Sequence, residues 1–313
     1  MSIAIQGSAH TTKIIVGYVQ PSQPRDEIYT AGERNQVFSG NLNGITSAGA
    51  EVTRIRAELP GLPAVLALSE DSVPGDVWEA GAHRNLLQRA IDHANIATLV
   101  GVVSYEPGGQ HLRNQVVLWQ PSVGFSPATA YDKRHLVPFG EFVPLRELTS
   151  SWAAKLATVA VDFRAGSKPG RFTTAQGVRV GTVLCFETAY DDVTRDVIDS
   201  DVLAVQTNNG AFLGTEQPEQ QYQISKGRAA EAGRPLVVAA ATGVSGIVDH
   251  RGRTIEGTVA VDNSAKTQVR VVAAGGFVSP ARYTSPVLRW GSVIWACLAF
   301  AWWGYQGRRR RSE

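Results

Sequence analysis

Short apolar runs alternate with helical stretches along most of the chain, and this alternation restricts the fold more than any other feature. Residues 13–20 and 63–69 are apolar runs suited to buried strands, and the mostly polar stretch 33–58 between them predicts a helix. Residues 83–94 place their apolar side chains on one helical face, and 96–105 return to a strand pattern. This β-α-β-α-β order favours sheets covered by helices, an α/β sandwich.

The second half of the chain continues the pattern. One hairpin is predicted to pair 114–120 with 128–132, and another turns within 245–258. The remaining predicted elements are strands at 179–184, 202–206 and 236–241, a helix at 191–200, and a helix at 217–232 closed by Gly233. Because no repeat or Pro/Ser-rich linker interrupts the alternation, we expect one continuous domain.

Composition and motif spacing exclude several classes of function. The formal net charge is +2, and four positive charges lie in one run, so no nucleic-acid-binding surface is predicted. Only two cysteines are present, Cys185 and Cys297, which leaves no disulfide framework. The six histidines are scattered and no C-x-x-C or H-x-x-x-H pair occurs, so we expect no metal site and no cofactor.

The C-terminal region has the character of a membrane anchor. Residues 290–305 form a charge-free, tryptophan-rich run, followed by four consecutive arginines. The sequence predicts a single transmembrane helix over 286–306 and a basic cytoplasmic tail over 307–313, with the globular part outside the cytoplasm at the cell membrane. The alternative is a buried C-terminal core helix. Residues 1–12 are interpreted as an N-terminal extension without a recognisable secretion signal.

Three chemically useful residues stand where apolar strands end. Glu70 follows 63–69, Lys133 follows 128–132, and Cys185 follows 179–184. A cation beside a thiol favours the thiolate and a carboxylate can take the thiol proton, so this trio suits acyl transfer through a thioester. Each residue also has a plain structural explanation: a small core residue for Cys185, a capping acid for Glu70, and a solvated charge for Lys133.

The segment 131–144, YDKRHLVPFGEFVP, is neither a good helix nor a good strand, because two prolines and a glycine surround a cluster of charges. Such an irregular segment predicts an active-site loop.

Three strings make the chain resemble the nitrilase-type domain of the apolipoprotein N-acyltransferase family, within the carbon–nitrogen hydrolase superfamily. They are YDKRHLVPFGEFVPLR at 131–146, VLCFE at 183–187, and TNNGAFLG through HRG at 207–252. The resemblance implies a nitrilase-like α-β-β-α sandwich, with a catalytic domain over 13–285 and the family's last membrane helix after it.

The resemblance also implies roles for individual residues and a reaction. Glu70 matches the general base, Lys133 the catalytic lysine and Cys185 the nucleophile. Three supporting positions match as well: Glu141, Glu187 and Asn114. For Glu141 and Glu187 the alternatives are a loop-capping carboxylate and a helix N-terminal charge. The family moves a fatty acyl group from a phospholipid onto the cysteine, then to the N-terminal diacylglyceryl-cysteine of an apolipoprotein, so a phospholipid donor, modified apolipoproteins and a membrane are the expected partners.

The chain departs from the family's pattern in three places. The family has membrane helices before this domain, its W-P-E reads Leu-Ser-Glu at 68–70 here, and its N-D-A-W-F-G reads N-G-A-F-L-G at 209–214. Two alternatives therefore stay open. One is a membrane-anchored amidase that uses water as the second nucleophile, and the other is an inactive fragment that lacks the membrane bundle.

Overall fold

The computed structural model describes residues 12–21, 31–106, 108–145, 161–255, 257, 259–261, 264–275 and 290–303. The chain divides into two compact units, Met1–Phe277 and Val278–Glu313. Apart from Thr12, the predicted N-terminal extension lies outside the described residues, as does the whole predicted basic tail.

The first sheet of the first unit is built from both ends of that unit. Its described strands are β1 (Thr12–Gln20), β2 (Ala64–Ala67), β3 (Ala97–Tyr105), β4 (Leu112–Trp119), β5 (Tyr131–Asp132) and β11 (Lys266–Ala274). They lie in the order β11-β1-β2-β3-β4-β5. The central strands β1, β2 and β3 run parallel, whereas β4, β5 and β11 are antiparallel to their neighbours.

The second sheet comes from the second half of that unit. Its described strands are β6 (Arg171–Thr173), β7 (Arg179–Leu184), β8 (Val202–Thr207), β9 (Leu236–Ala240) and β10 (Gly246–Val248), in the order β10-β9-β8-β7-β6. Strands β7, β8 and β9 are parallel, and β6 and β10 are antiparallel edge strands. The sequence interpretation did not include the strands β6 and β11.

The helices lie on the outer faces of the two sheets. Helices α1 (Ala31–Glu58) and α2 (Ala82–Ala94) share one core with the first sheet, and α3 (Asp191–Asp196) and α4 (Gln217–Ala232) share another with the second. Helix α4 ends, as predicted, at Gly233, whose φ of 63° is the left-handed conformation that glycine adopts without strain.

A third core lies between the sheets. Ile14, Val16 and Tyr18 of β1 belong to it, together with residues of β7, β8 and β9, whereas Ile15 and Val19 face the helices. Each such side chain contributes about 1.5–3 kcal/mol when fully buried, so a strand with two buried faces is strongly held in register. The α-β-β-α sandwich that the resemblance implies is therefore confirmed.

The loop that follows β2 requires a glycine on the neighbouring strand β3. A Cβ atom at Gly101 of β3 would lie 2.8 Å from the Cα of Glu70 and would also collide with the backbone oxygen of Ser69. The second sheet also holds this loop, because Gln206 Nε2 donates a hydrogen bond of 2.7 Å to the backbone oxygen of Leu68. Both contacts fix the segment that carries Glu70.

In the second unit, residues 290–303 form a helix, α5, in which every residue is exposed. Across the described ranges, no helix combines the length and the apolar character that crossing a membrane requires. The rest of the predicted span, 286–289 and 304–306, lies outside the described residues.

Candidate active site

The ends of three strands bring the predicted trio together at one edge of the sandwich. Glu70 comes three residues after β2, Lys133 directly follows β5, and Cys185 directly follows β7. Although 63 residues separate Lys133 from Glu70, the Lys133 Nζ lies 3.1 Å from the Glu70 Oε1. Cys185 interacts electrostatically with both.

Lys133 is a buried cation between two carboxylates. Its side chain is 1% exposed, and its Nζ also lies 2.9 Å from the Oε1 of Glu141. Burial acts to lower the pKa of Lys133, but Glu70, the Cys185 sulfur and Glu141 together raise it above its usual value. The ammonium is therefore charged, and two carboxylates compensate for its removal from water.

Asn114 joins the two carboxylates from the other side. Its Nδ2 donates to Glu70 Oε1 at 2.6 Å and to Glu141 Oε1 at 2.7 Å. Its backbone oxygen accepts from the Lys133 amide at 2.8 Å. The structure thus places Glu141 in direct contact with Lys133 and Asn114 in contact with Glu70 and Glu141, so that one amide and one ammonium bridge two acidic groups.

The second oxygen of Glu70 has its own donor. Glu70 Oε2 accepts a hydrogen bond of 3.0 Å from the backbone amide of Asn208, just after β8. The Asn208 side chain in turn accepts from the Gly210 amide at 3.1 Å, which fixes the turn. Sequence reasoning assigned no role to Asn208, although it lies within the TNNGAF string, directly after a strand that was predicted.

Cys185 lies at a sharp strand-to-helix turn. It is the first residue of the short 3₁₀ helix Cys185–Ala189, and its φ of +50° is a conformation that residues with a side chain rarely adopt. Strained backbone of this kind is concentrated at active sites and ligand-binding sites. Cys185 is half-buried as a residue, at the point where the strand ends.

The charges around the thiol keep it protonated in the resting protein. Burial and the charge of Glu70 raise the pKa of Cys185 to about 11, and Lys133 offsets them only in part. A thiol of this pKa is almost entirely neutral near pH 7. Such a thiol needs a base to become a nucleophile, and Glu70 is a carboxylate whose charge acts on it.

Glu187 holds the loop of Lys133 and the turn of Cys185 together. It is fully buried and accepts hydrogen bonds from the backbone amides of Arg134 (2.6 Å), His135 (3.1 Å) and Leu184 (3.0 Å). The Tyr131 hydroxyl donates to both of its oxygens, at 2.8 and 2.7 Å. In the structure Glu187 acts through its neighbours, which makes it a positioning residue.

The irregular loop is anchored to α3 as well. The Arg134 guanidinium lies 2.6 Å from the Asp196 Oδ2 and 3.2 Å from the Asp192 Oδ2. The His135 Nε2 lies 2.9 Å from the same Asp192 oxygen. The His135 ring stacks on Tyr190 with a centroid separation of 3.9 Å. These contacts hold the chain directly after Lys133 against the helix that follows Cys185.

A cavity of about 270 Å³ opens beside Glu70, lined in part by Asp71, Ser72 and Asn208. A larger cavity of about 570 Å³ shares three lining residues with it, Asp76, Ser104 and Tyr105. Within the described part of the chain, no group of three or more His, Cys, Asp and Glu side chains could hold a metal ion. The smaller cavity is therefore lined by Asp71, the residue after Glu70, and by Asn208, whose backbone amide donates to Glu70.

Comparison with known proteins identifies a family and several relatives of this chain. The family model for carbon-nitrogen hydrolases matches residues 15–274. An apolipoprotein N-acyltransferase of Photobacterium profundum is 33% identical over 175 residues, 54% of this chain and 34% of that protein. One from Mycolicibacterium smegmatis is 28% identical over 309 residues, 94% of this chain and 48% of that protein. The chain thus spans about half, or less, of the length of the curated relatives it matches.

A solved structure supports the fold. An amidase of the nitrilase superfamily from Nesterenkonia superposes with a TM-score of 0.57 at 16% sequence identity, over 85% of this chain and 92% of that chain. The described part of the first unit therefore has a nitrilase-like α/β fold.

Replacing Glu70 by Gln is expected to lower the pKa of the Cys185 thiol, because the substitution removes a negative charge that raises it. We expect the midpoint to fall from about 11 by about one unit. The measurement is a pH titration of thiolate absorbance in a Cys297→Ser background. Glu58→Gln serves as the control, since the Glu58 side chain is 73% exposed and pairs with Arg54 on its own helix. A midpoint that stays or rises in Glu70→Gln contradicts this electrostatic account.

Replacing Glu187 by Ala is expected to leave three buried or part-buried backbone amides and the Tyr131 hydroxyl without their acceptor. Each unmade bond of this kind costs about 1–3 kcal/mol, so the free energy of unfolding is expected to fall by at least about 3 kcal/mol. Urea denaturation of Glu187→Ala and of Glu58→Ala measures the difference, and the second variant is expected to change stability by less than about 0.5 kcal/mol. Equal effects would mean that Glu187 does not hold the two loops.

Proposed function

Because the chain belongs to the carbon-nitrogen hydrolase family, we propose that it carries the catalytic site of a lipoprotein N-acyltransferase. In this proposal Cys185 takes a fatty acyl group from a phospholipid and passes it to the N-terminal amine of a diacylglyceryl-modified apolipoprotein. The similarity to apolipoprotein N-acyltransferases supports the substrates. The single observation that carries the chemistry is the thiol of Cys185 beside the buried cluster of Glu70, Lys133 and Glu141.

In the first step Glu70 takes the proton of the Cys185 thiol, and the sulfur attacks the ester carbonyl of the phospholipid. The carbonyl oxygen becomes an oxyanion, which the Lys133 ammonium stabilises. When the tetrahedral intermediate collapses, the carbon–oxygen bond breaks and Glu70 returns the proton to the departing lysophospholipid alkoxide. The products are an acyl thioester on Cys185 and a lysophospholipid.

In the second step the α-amine of the acceptor attacks the thioester carbonyl. Glu70 takes a proton from the attacking nitrogen, and the carbon–sulfur bond breaks to release the Cys185 thiolate. The proton then passes from Glu70 to the sulfur, which restores the starting state. Glu141 contacts Lys133, and Asn114 contacts both Glu70 and Glu141, so we assign Glu141 and Asn114 the role of holding the base and the ammonium in place through these proton transfers.

The same proposal includes attachment to the cell membrane. The charge-free run 290–305, its tryptophans and the arginines after it support a spanning segment over 286–306, with the first unit on the extracytoplasmic side and the C-terminus in the cytoplasm. Both proposed substrates reside in membranes. An anchor would therefore raise their effective concentration at the site.

The acyl-enzyme is the test of the reaction. The full chain in detergent, incubated with phospholipid vesicles, is expected to gain the mass of one acyl group, which hydroxylamine removes as it does other thioesters. Cys185→Ala is expected to abolish the adduct, whereas the matched variant Cys297→Ala is expected to keep it. Glu70→Gln is expected to slow its formation at least about 100-fold, because the general base is lost. Intact-mass spectrometry against time gives all four results.

Other outcomes would favour the alternatives. An adduct that persists in Cys185→Ala contradicts the proposed nucleophile. Turnover of small amides in the absence of lipid would point to a hydrolase that uses water as the second nucleophile. A folded chain that neither forms an adduct nor hydrolyses amides would fit the inactive fragment.

Membrane attachment is expected to depend on the C-terminal segment. The full chain should sediment with membranes after an alkaline carbonate wash, and a chain that lacks 286–313 should remain in the supernatant. Deleting only 307–313 is the control, because it removes the arginines and keeps the apolar run. Protease added outside spheroplasts should digest the first unit. A full chain released by carbonate, or a protected first unit, would refute the corresponding part of the proposal.

A further inference from the structure

Two buried neutral side chains lie beside the sulfur of Cys185. Strands β7 and β8 are parallel with Leu184 opposite Gln206, so Cys185 and Thr207 are the next positions along adjacent chain segments. Gln221 reaches the same place from α4, which packs against the 3₁₀ helix that begins at Cys185. Thr207 is 1% exposed and Gln221 is 6% exposed.

These side chains form a small hydrogen-bonded group. The Thr207 hydroxyl donates to the Gln221 Oε1 at 3.1 Å and lies 3.3 Å from the Asn209 Oδ1. Because the oxygen of Gln221 is occupied by Thr207, its NH₂ group is the end that remains to donate. Hydrogen bonding by Thr207 and by Gln221 acts to lower the pKa of the Cys185 thiol.

The charges that face the sulfur explain why further donors matter. From the first sheet it faces Glu70 and Lys133, and Lys133 is shared with Glu141. The single ammonium therefore compensates for two carboxylates before the sulfur acquires any charge. Once the thiol proton has moved to Glu70, the negative charge lies on a sulfur that is largely removed from water, where each added donor has a large effect.

We propose that Thr207 and Gln221 are catalytic residues that donate hydrogen bonds to the Cys185 thiolate, both when it attacks the donor and when it leaves the thioester. The inference rests on the thioester chemistry of the proposed function. The hydroxyl proton of Thr207 is free to rotate from Gln221 or Asn209 towards the sulfur as charge develops there. Hydrogen bonds of this kind to an ionised group are about twice as strong as those between neutral groups.

The test measures the thiol itself and needs no lipid, so its result is separate from that of the acyl-adduct experiment. In a Cys297→Ser background, Thr207→Val and Gln221→Leu are each expected to slow alkylation of Cys185 by iodoacetamide at pH 8 about threefold. A pKa rise of about one unit lowers the thiolate fraction tenfold, and the higher nucleophilicity of the more basic thiolate recovers part of that loss. In the Glu70→Gln background, the titration midpoint is expected to rise by about one unit in each variant.

Two matched variants separate donation from packing. Thr207→Ser keeps the hydroxyl and is expected to retain the parent midpoint. Gln220→Leu alters the adjacent, exposed position of α4 and is expected to leave alkylation unchanged. Thr207→Ala and Gln221→Ala replace any variant that loses its cooperative unfolding transition. Midpoints and rates that are unchanged or shifted the other way in folded Thr207 and Gln221 variants would overturn the inference, whether or not an acyl adduct forms.

Discussion

The site depends on one buried cation. An ammonium that is almost completely removed from water is tolerated only where opposite charges and hydrogen bonds replace its hydration, and removing one partner of such a pair costs about 3–5 kcal/mol. The Lys133 ammonium obtains this compensation from Glu70 and Glu141, which arrive from different segments of the first sheet and its loops. The need to satisfy that charge therefore brings the carboxylates together, and Asn114 fixes the distance between them.

The acidic residues near the cysteine have different roles because their partners differ. Glu187 accepts hydrogen bonds on both oxygens from backbone amides and a tyrosine, so protein donors occupy both of its oxygens. Glu70 instead faces the thiol with one oxygen on Lys133 and Asn114 and the other on the Asn208 amide. In the proposed reaction Glu70 is therefore the base, because its charge acts on the Cys185 thiol.

The resting thiol is neutral, and this has a consequence for reactivity. Burial and Glu70 raise its pKa to about 11. Slow alkylation near pH 7 is therefore expected both of an active enzyme with this site and of an inactive fragment. In the proposed reaction the thiol ionises only when its proton moves to Glu70, so it is activated when the substrate arrives and charge develops that Lys133 can stabilise. Formation of the thioester therefore distinguishes an active enzyme from an inactive fragment better than the alkylation rate of the thiol does.

The sequence by itself determined most of the local structure. Apolar periodicity located the strands that end at Glu70, Lys133 and Cys185, and Gly233 marked the end of α4, because these are preferences of neighbouring residues. Family strings indicated Glu141, Glu187 and Asn114 without saying what they touch. The partners were decided only by tertiary structure: the Asn208 amide reaches Glu70 across 138 residues, and Thr207 and Gln221 meet the sulfur through the pairing of β7 with β8 and the packing of α4. Such contacts leave no local pattern, since they depend on how two sheets and their covering helices pack rather than on the spacing of residues along the chain.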